Sequence, residues 1–467
     1  MAQIPILSGI YTDGNADFRT ALPVNLIPVP KGQGISAGYL RPADGIVQLG
    51  AGPGADRGGI NWNNVCYRVM GTKLVSISAA GVATTLGDVG AGGQVTFDYS
   101  FDRLAIASGG RLYYWNGSTL TQVTDADLGT VLDVVWVDGY FMTTDGEFLV
   151  VTELNDPFAI DPLKYGSSEI DPDPVKGLIK LRGEIYAMNR HTIEVFDNIG
   201  GDTFPFQRIE GAQIEKGILG THCACMFVDA IAFLGSGRGE APGVYIGGNS
   251  QASKISTREI DQILLEYTEA QLAASVLESR IDKGHQHLWV HLPDRVLVFD
   301  AAGSQAASTP VWFTLTSGLA DFAQYPARNL VWCYDRWLVG SPASAVHGYL
   351  DTAVSTQYGA KARWEFGTTI VYSEGRSAIF HQLELVCLTG RVALGTDPRI
   401  STAYSVDGET WGQEKFISAG KIGDRAKRLV WFQQGHMRNW RIQRFRGTSD
   451  AHISIARLEA QLEPMAF

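Results

Sequence analysis

The chain has 467 residues, 45% of them hydrophobic, enough to bury a large core, and a formal charge of −11. So acidic a body repels phosphate backbones, which argues against gripping nucleic acid through its main surface, and five scattered cysteines (Cys66, Cys223, Cys225, Cys333, Cys387) exclude a disulfide framework and fit a reducing compartment. There is no basic, apolar leader and no run of about 18 apolar residues, so the expectation is a soluble protein made in the cytoplasm.

The charge is uneven. From residue 355 onward 15 Lys and Arg face 11 Asp and Glu, leaving 23 against 38 for residues 1–354. Residues 1–58 are rich in Gly and Pro ("ALPVNLIPVPKGQG", "LGAGPGADRGG") and read as an extended arm, which either closes a ring with an added strand or lies across a neighbouring subunit.

Between Gly59 and Val354 one unit recurs at intervals of roughly 40 residues: a short alternating strand, a Gly/Asp/Asn turn and a second strand, as in "VCYRVMGTKLVSISAAGVATTL", "VVWVDGYFMTTDGEFLVV" and "IKLRGEIYAMNRHTIEVF". No such hairpin buries its apolar face alone, so the pattern predicts an all-β fold in which six or seven blades pack around an axis as a β-propeller. One long segment, "ELNDPFAIDPLKYGSSEIDPDPVKG", interrupts the rhythm. It holds Glu153, Asp156, Asp161, Glu169, Asp171 and Asp173 and reads as a long acidic loop, either a solvated rim or a partner contact.

The segment Ser256 to Lys283 is predicted helical. Ser256 and Glu259 have capping-box spacing ahead of Ile260, Ile263, Leu264 and Tyr267, Thr268 and Gln271 repeat it before Leu272, Val276 and Leu277, and Gly284 supplies a stop. The reading is a helix pair inserted into the ring at 256–283, either plugging a gap between blades or offering a subunit contact. After Val354 the strands lengthen ("ARWEFGTTIVY", "IFHQLELVCL", "NWRIQRFRG"), and residues 355–467 are predicted to form a separate C-terminal β-sandwich that serves as a docking domain.

Candidate chemical sites mostly fail on geometry. In "GHQHLWVHLP" His285, His287 and His291 share a strand face, but positions four apart lie roughly 13 Å from each other, and no carboxylate or cysteine stands near enough in sequence to complete a set around His285 and His287; no metal site is expected. Cys223 and Cys225 read as buried free thiols. "GAGPGADRGG" and "GSGRGEAPG" lack the Lys-Ser/Thr ending and the strand-to-helix setting of a phosphate loop. "SVDGETWG" resembles the Asp-box of sialidases, one residue short, and is a hairpin brace in which Asp407 bonds its own turn and Trp411 packs inward. No catalytic residue, cofactor motif or nucleophile elbow is found. "MRNWRIQRFRG" places Arg438, Arg441, Arg444 and Arg446 beside Trp440 and Phe445; stacking on bases is one reading, and charges guarding an edge strand the favoured one.

From Asn155 to Asp300, "NDPF", "HTIEVFDNIGGDTFPFQRIEGAQIEKGILG", "GVYIGG", "KISTREIDQIL" and "GHQHLWVHLP" follow in an order that resembles the packaged-DNA stabilisation, or tail hub (nozzle), proteins of short-tailed bacteriophages. "DFRTALPVN" with "GYLRPADGI" near the start and "NWRIQRFRGTSD" with "ISIARLEAQLEP" at the end extend the likeness to nearly the whole chain. The resemblance implies a non-enzymatic virion protein in the tail: a homo-hexameric ring below the portal, touching a head-to-tail adaptor, tailspike and tail needle proteins, with genomic DNA retained and later passing through without specific binding. The candidate partner contacts are then the six acidic residues of the long segment and the four arginines. The competing reading is a sialidase-like or other carbohydrate-active propeller acting on, or binding, host surface glycans.

Overall fold

The computed structural model describes residues 2–13, 17–31, 37–154, 156–201, 203–373 and 375–465. Seven sheets follow one another through the first three quarters of the chain, and their innermost strands, Asp56–Trp62, Thr96–Tyr99, Asp133–Val137, Val175–Leu181, Ala224–Phe227, Val276–Asp282 and Arg328–Cys333, each neighbour the next, the last returning to the first. This is a seven-bladed β-propeller, with blades 1 to 7 in chain order.

The sequence builds each blade by local reversal. In blades 1, 3, 4, 6 and 7 the two inner strands are joined by a two-residue turn, Asn63-Asn64, Asp138-Gly139, Arg182-Gly183, Lys283-Gly284 and Tyr334-Asp335, in which both residues have positive φ. That conformation matches the right-handed twist of the flanking strands. Apolar residues then alternate between two blade-to-blade interfaces: in His285–His291 of blade 6, Leu288 and Val290 face the cluster shared with blade 5, and Trp289 faces the one shared with blade 7.

The ring is closed by the N-terminal region. Gly45–Ala51 pairs with Val346–Asp351 as the outermost strand of blade 7, and inside the seam Asp56 of blade 1 is ion-paired to Arg68 at 3.0 Å while Arg68 donates to the Asn329 carbonyl of blade 7 at 2.8 Å. The arm expected over residues 1–58 is therefore mostly regular structure. Ala2–Ile4, Leu26–Pro30 and Gly38–Pro42 join Ala378–Leu388, Leu429–Phe432, His436–Met437 and Ser454–Pro464 in a seven-stranded sheet, and Arg363–Gly367, Val371–Tyr372, Arg399–Ser405, Lys415–Ser418 and Trp440–Thr448 form the facing five-stranded sheet of a β-sandwich. Its core stacks Phe366 on Phe445 with centroids 5.1 Å apart, and Ile4, Ile6, Leu26 and Leu40 from the N-terminal region pack into the same cluster. The N-terminal strands join this sheet by burying Leu26 and Leu40 in its core.

Two local expectations are corrected. The helices are α1 (Arg258–Leu264) and α2 (Glu269–Ala273), and Val276–Asp282 is the inner strand of blade 6; Gly284, read as a helix stop, is half of a hairpin turn. Thr257 rather than Ser256 precedes α1, without a side-chain cap bond, whereas Thr268 and Gln271 do form a capping box on α2. The long acidic segment is not a loop throughout, since Asp156–Ser167 pairs with Phe148–Glu153 as the outer strand of blade 3. Pro157 and Pro162 obscured it, and an outer strand tolerates them because one of its sides needs no ladder donors.

Candidate functional site

The segment that joins the two domains is the stretch 22–46. Val24 donates to the Glu365 carbonyl of the sandwich at 2.8 Å, and Asn25 donates through its backbone to Thr314 of blade 6 at 2.8 Å, so a single residue step links the outer edge of a blade to a sandwich strand. Asn25 sits at φ 50°, a left-handed conformation asparagine accepts readily. Its buried amide donates to the carbonyls of Thr316 (2.9 Å) and Arg363 (2.6 Å), and its Oδ1 accepts from the Thr316 N–H (3.1 Å). Further along, Arg41 pairs with Asp44 at 2.7 Å and with Asp282, and Arg280 pairs with Asp44, tying this stretch to the inner strand of blade 6. Burial opposes ionisation of Asp44, but Arg280 and Arg41 outweigh it and hold the carboxyl below its ordinary range. The strings "DFRTALPVN" and "GYLRPADGI" thus end in, or contain, the residues that make the seam.

Beside it lies a cleft of about 400 Å³ whose walls include Tyr11, Glu266, Arg295, Phe322, Arg363, Trp411, Arg444 and Arg446. Arg295 and Arg363 both lie over the Phe322 ring, at 4.0 and 4.8 Å, and Arg444 lies over Trp411 at 4.1 Å. Arg446 is paired with Glu365 (2.7 Å) and Glu414 (3.2 Å). Burial, then the neighbouring charge of Arg446, pulls the Arg444 guanidinium below its usual range. Sequence reading missed Arg295 and Phe322, which come from separate connections, and Arg363, which opens a sandwich strand; they meet only in the folded chain.

The four C-terminal arginines do not form one patch. Strand Trp440–Thr448 pairs along both sides, so it is not an edge. Arg441 is buried between the Phe380 and Tyr404 rings and donates to the Gln434 carbonyl, and Phe445 is core; neither can meet a partner. Arg438 is exposed, and Arg444 and Arg446 are half-buried on the cleft.

Among the acidic residues, Glu153 pairs with Lys164 (2.8 Å) and Asp171 with Arg238 (2.7 Å), while Asp173 accepts from the backbone of His191 and Thr192. Asp156 and Asp161, within the outer strand of blade 3, accept from the backbone of Phe158 and Leu163, and Glu169 is exposed. Asn155 of "NDPF" lies outside the described residues. Asp407 accepts from the backbone of Glu409 and Thr410, as a hairpin brace should, but Trp411 is half-buried beneath Arg444 rather than in the core.

The seven inner strands carry equal numbers of acidic and basic residues. Asp56, Asp98, Asp133, Glu278 and Asp282 of the inner strands stand against Arg57, Lys176, Lys180, Arg280 and Arg328, so the acidic excess of residues 1–354 lies elsewhere on the blades and their connections. Asp133 is buried and accepts from Leu178 N–H of the next blade at 2.8 Å; burial pushes its carboxyl up to about 7. The histidine strand also departs from expectation: Asp300 lies opposite His287 in the adjoining strand, with its Oδ2 2.6 Å from His285 Nδ1. A separation of 13 residues hid a carboxylate that strand pairing brings alongside.

Residues 2–355 match the bacteriophage P22 Gp10 β-propeller family, and residues 363–463 match the P22 Gp10 β-sandwich family. The chain belongs to the bacteriophage P22 Gp10 family. Its relative, the tail hub protein gp10 of Salmonella phage P22, is 30% identical over 99% of this chain and 99% of its own length. As a Gp10-family member the chain is a structural tail hub protein of a phage virion. Among solved structures, the WD40 domain of Neurospora crassa Pan2 is similar at a TM-score of 0.42 and 12% identity over 65% of this chain and 95% of that one, and Porphyromonas gingivalis PorZ at 0.38 and 12% over 65% and 39%. Scores this low carry no weight for the Gp10-family fold, which rests on strand pairing. Among the described residues no helix is long and apolar enough to cross a membrane.

Proposed function

We propose that six copies of this chain form a ring below the portal and its adaptor, retaining packaged DNA and conducting it outward at ejection. The observation that carries this reading is the end-to-end match to a tail hub protein, through both domains and their junction. The passage is read as running between copies: the acidic excess of residues 1–354 lies outside the inner strands, and a wall of that sign avoids phosphate contacts that would add drag. The sandwich, the exposed Arg438 and the exposed Glu169 are offered as docking surfaces for adaptor, tailspike or needle proteins.

The role is non-enzymatic. Cryo-electron microscopy of virions should place the chain around the tail axis, and its absence there would refute the proposal. The purified chain is expected to sediment as a monomer or weak assembly until an adaptor templates the ring; stable hexamers in analytical ultracentrifugation would overturn that part. A fluorogenic glycoside screen separates the carbohydrate-active alternative, which requires turnover abolished by single carboxylate substitutions.

A further inference from the structure

We propose that His285, His287 and Asp300 form a site for a single borderline transition-metal ion, Zn²⁺ in the first instance, on the face of blade 6 that meets blade 7. One ligand atom from each lies within 4.8 Å of the others. The Asp300 Oδ2 is 2.6 Å from His285 Nδ1 and 3.8 Å from His287 Nε2. Ligands at about 2.0 Å from a tetrahedral zinc are roughly 3.3 Å apart, so the two spacings straddle the required value and small side-chain rotations reach it.

The second observation is His287 itself. Its side chain is 1% exposed and neither ring nitrogen has a hydrogen-bond partner. A buried imidazole whose nitrogens make no hydrogen bond forfeits those it made in water, and a metal bond at Nε2 would recover one such interaction. Asp300 is already oriented, because its Oδ1 accepts from Gly303 N–H at 3.0 Å as the N-cap of the helix Ala301–Ala307; such outer contacts fix metal-ligating carboxylates. His285 is only partly covered, leaving a route from solvent for the ion. The nearest cation across the strand pair, Arg280, is matched by Asp44 and Asp282 and does not bring net positive charge to the site. Two imidazoles with one carboxylate select Zn²⁺, Co²⁺ or Ni²⁺ over Ca²⁺ or Mg²⁺, which prefer all-oxygen sets. The bound ion would clip the hairpin of blade 6 to the helix at its far end, next to the Arg41–Asp44–Arg280–Asp282 network at the sandwich seam.

The test uses the full chain stripped with EDTA and dialysed against Zn²⁺. One zinc per chain is expected by elemental analysis, with a melting temperature several degrees above the stripped protein, and Co²⁺ in its place should give the visible absorption of a tetrahedral site. His287→Phe, which suits the apolar neighbourhood of Phe313, should fold, melt like the stripped wild type and ignore Zn²⁺. Asp300→Asn keeps a good helix cap but loses the anionic ligand, and is expected to weaken binding by at least about tenfold. The proposal is overturned if the wild type retains no zinc, or if both variants bind it as the wild type does.

Discussion

The propeller and the sandwich are both all-β, yet they are assembled in opposite ways. Six of the seven blades use strands contiguous in sequence, joined by tight turns, whereas the large sandwich sheet draws Ala2–Ile4, Leu26–Pro30 and Gly38–Pro42 from one end of the chain and Ala378–Leu388 and Ser454–Pro464 from the other. Closing such distant pairings costs chain entropy before any apolar burial offsets it, so the sandwich and the seventh blade, which also needs Gly45–Ala51, depend on the N-terminal stretch being in place. The lesson is that residues 22–46 contribute both to the sandwich and to the closing of the ring, and so couple the two domains.

The sharpest way to break that coupling is Asp44→Ala. It leaves Arg280 buried with only the longer contact to Asp282, and stability should fall by about 3–5 kcal/mol. Calorimetry should then resolve two transitions in place of one; an unchanged single transition would show that the network does not couple the domains. A substitution confined to the blades makes the contrast. Because burial raises Asp133 to about 7 in the folded protein, against an ordinary carboxylate near 4 when unfolded, its favourable share of stability is present below about pH 4 and lost as pH rises through about 7. Asp133→Asn should therefore stabilise the propeller at pH 8 by up to about 4 kcal/mol, with the advantage gone below about pH 4 and the sandwich unaffected. Denaturation curves at both pH values check it, and a pH-independent difference would rule out titration as the cause. The mildest change is Asn25→Gly, which keeps the left-handed backbone while removing the side-chain bonds to Thr316 and Arg363. A loss of about 1–3 kcal/mol is expected, read as faster hydrogen exchange at Thr316, whose N–H donates to the Asn25 Oδ1, and exchange equal to wild type would show the amide to be dispensable.

Much of the architecture was legible in the chain, because period-two alternation and turns such as Asp138-Gly139 act over a few residues. The errors came where local signals had two meanings. Val276 and Leu277 continued a helical spacing but belong to a strand, and Gly284 served a hairpin rather than a helix end. Pro157 and Pro162 looked like loop residues and lie in an outer strand. The functional surfaces were less legible still. Arg441 looked like a surface cation until Phe380 and Tyr404 closed over it, and the cleft at Arg295, Phe322, Arg363 and Arg444 unites loops and strands far apart in sequence.

By itself the sequence determined the repeating hairpins, the acidic balance and the family to which the chain belongs, since each is written in residue type and order. Tertiary structure alone decided that the N-terminal stretch builds the sandwich and closes the ring, that the inner strands are electrically balanced, and that Asp300 stands beside two histidines. Those outcomes depend on which distant strands pair, and pairing is chosen by the burial and hydrogen bonding of the whole chain rather than by any one segment.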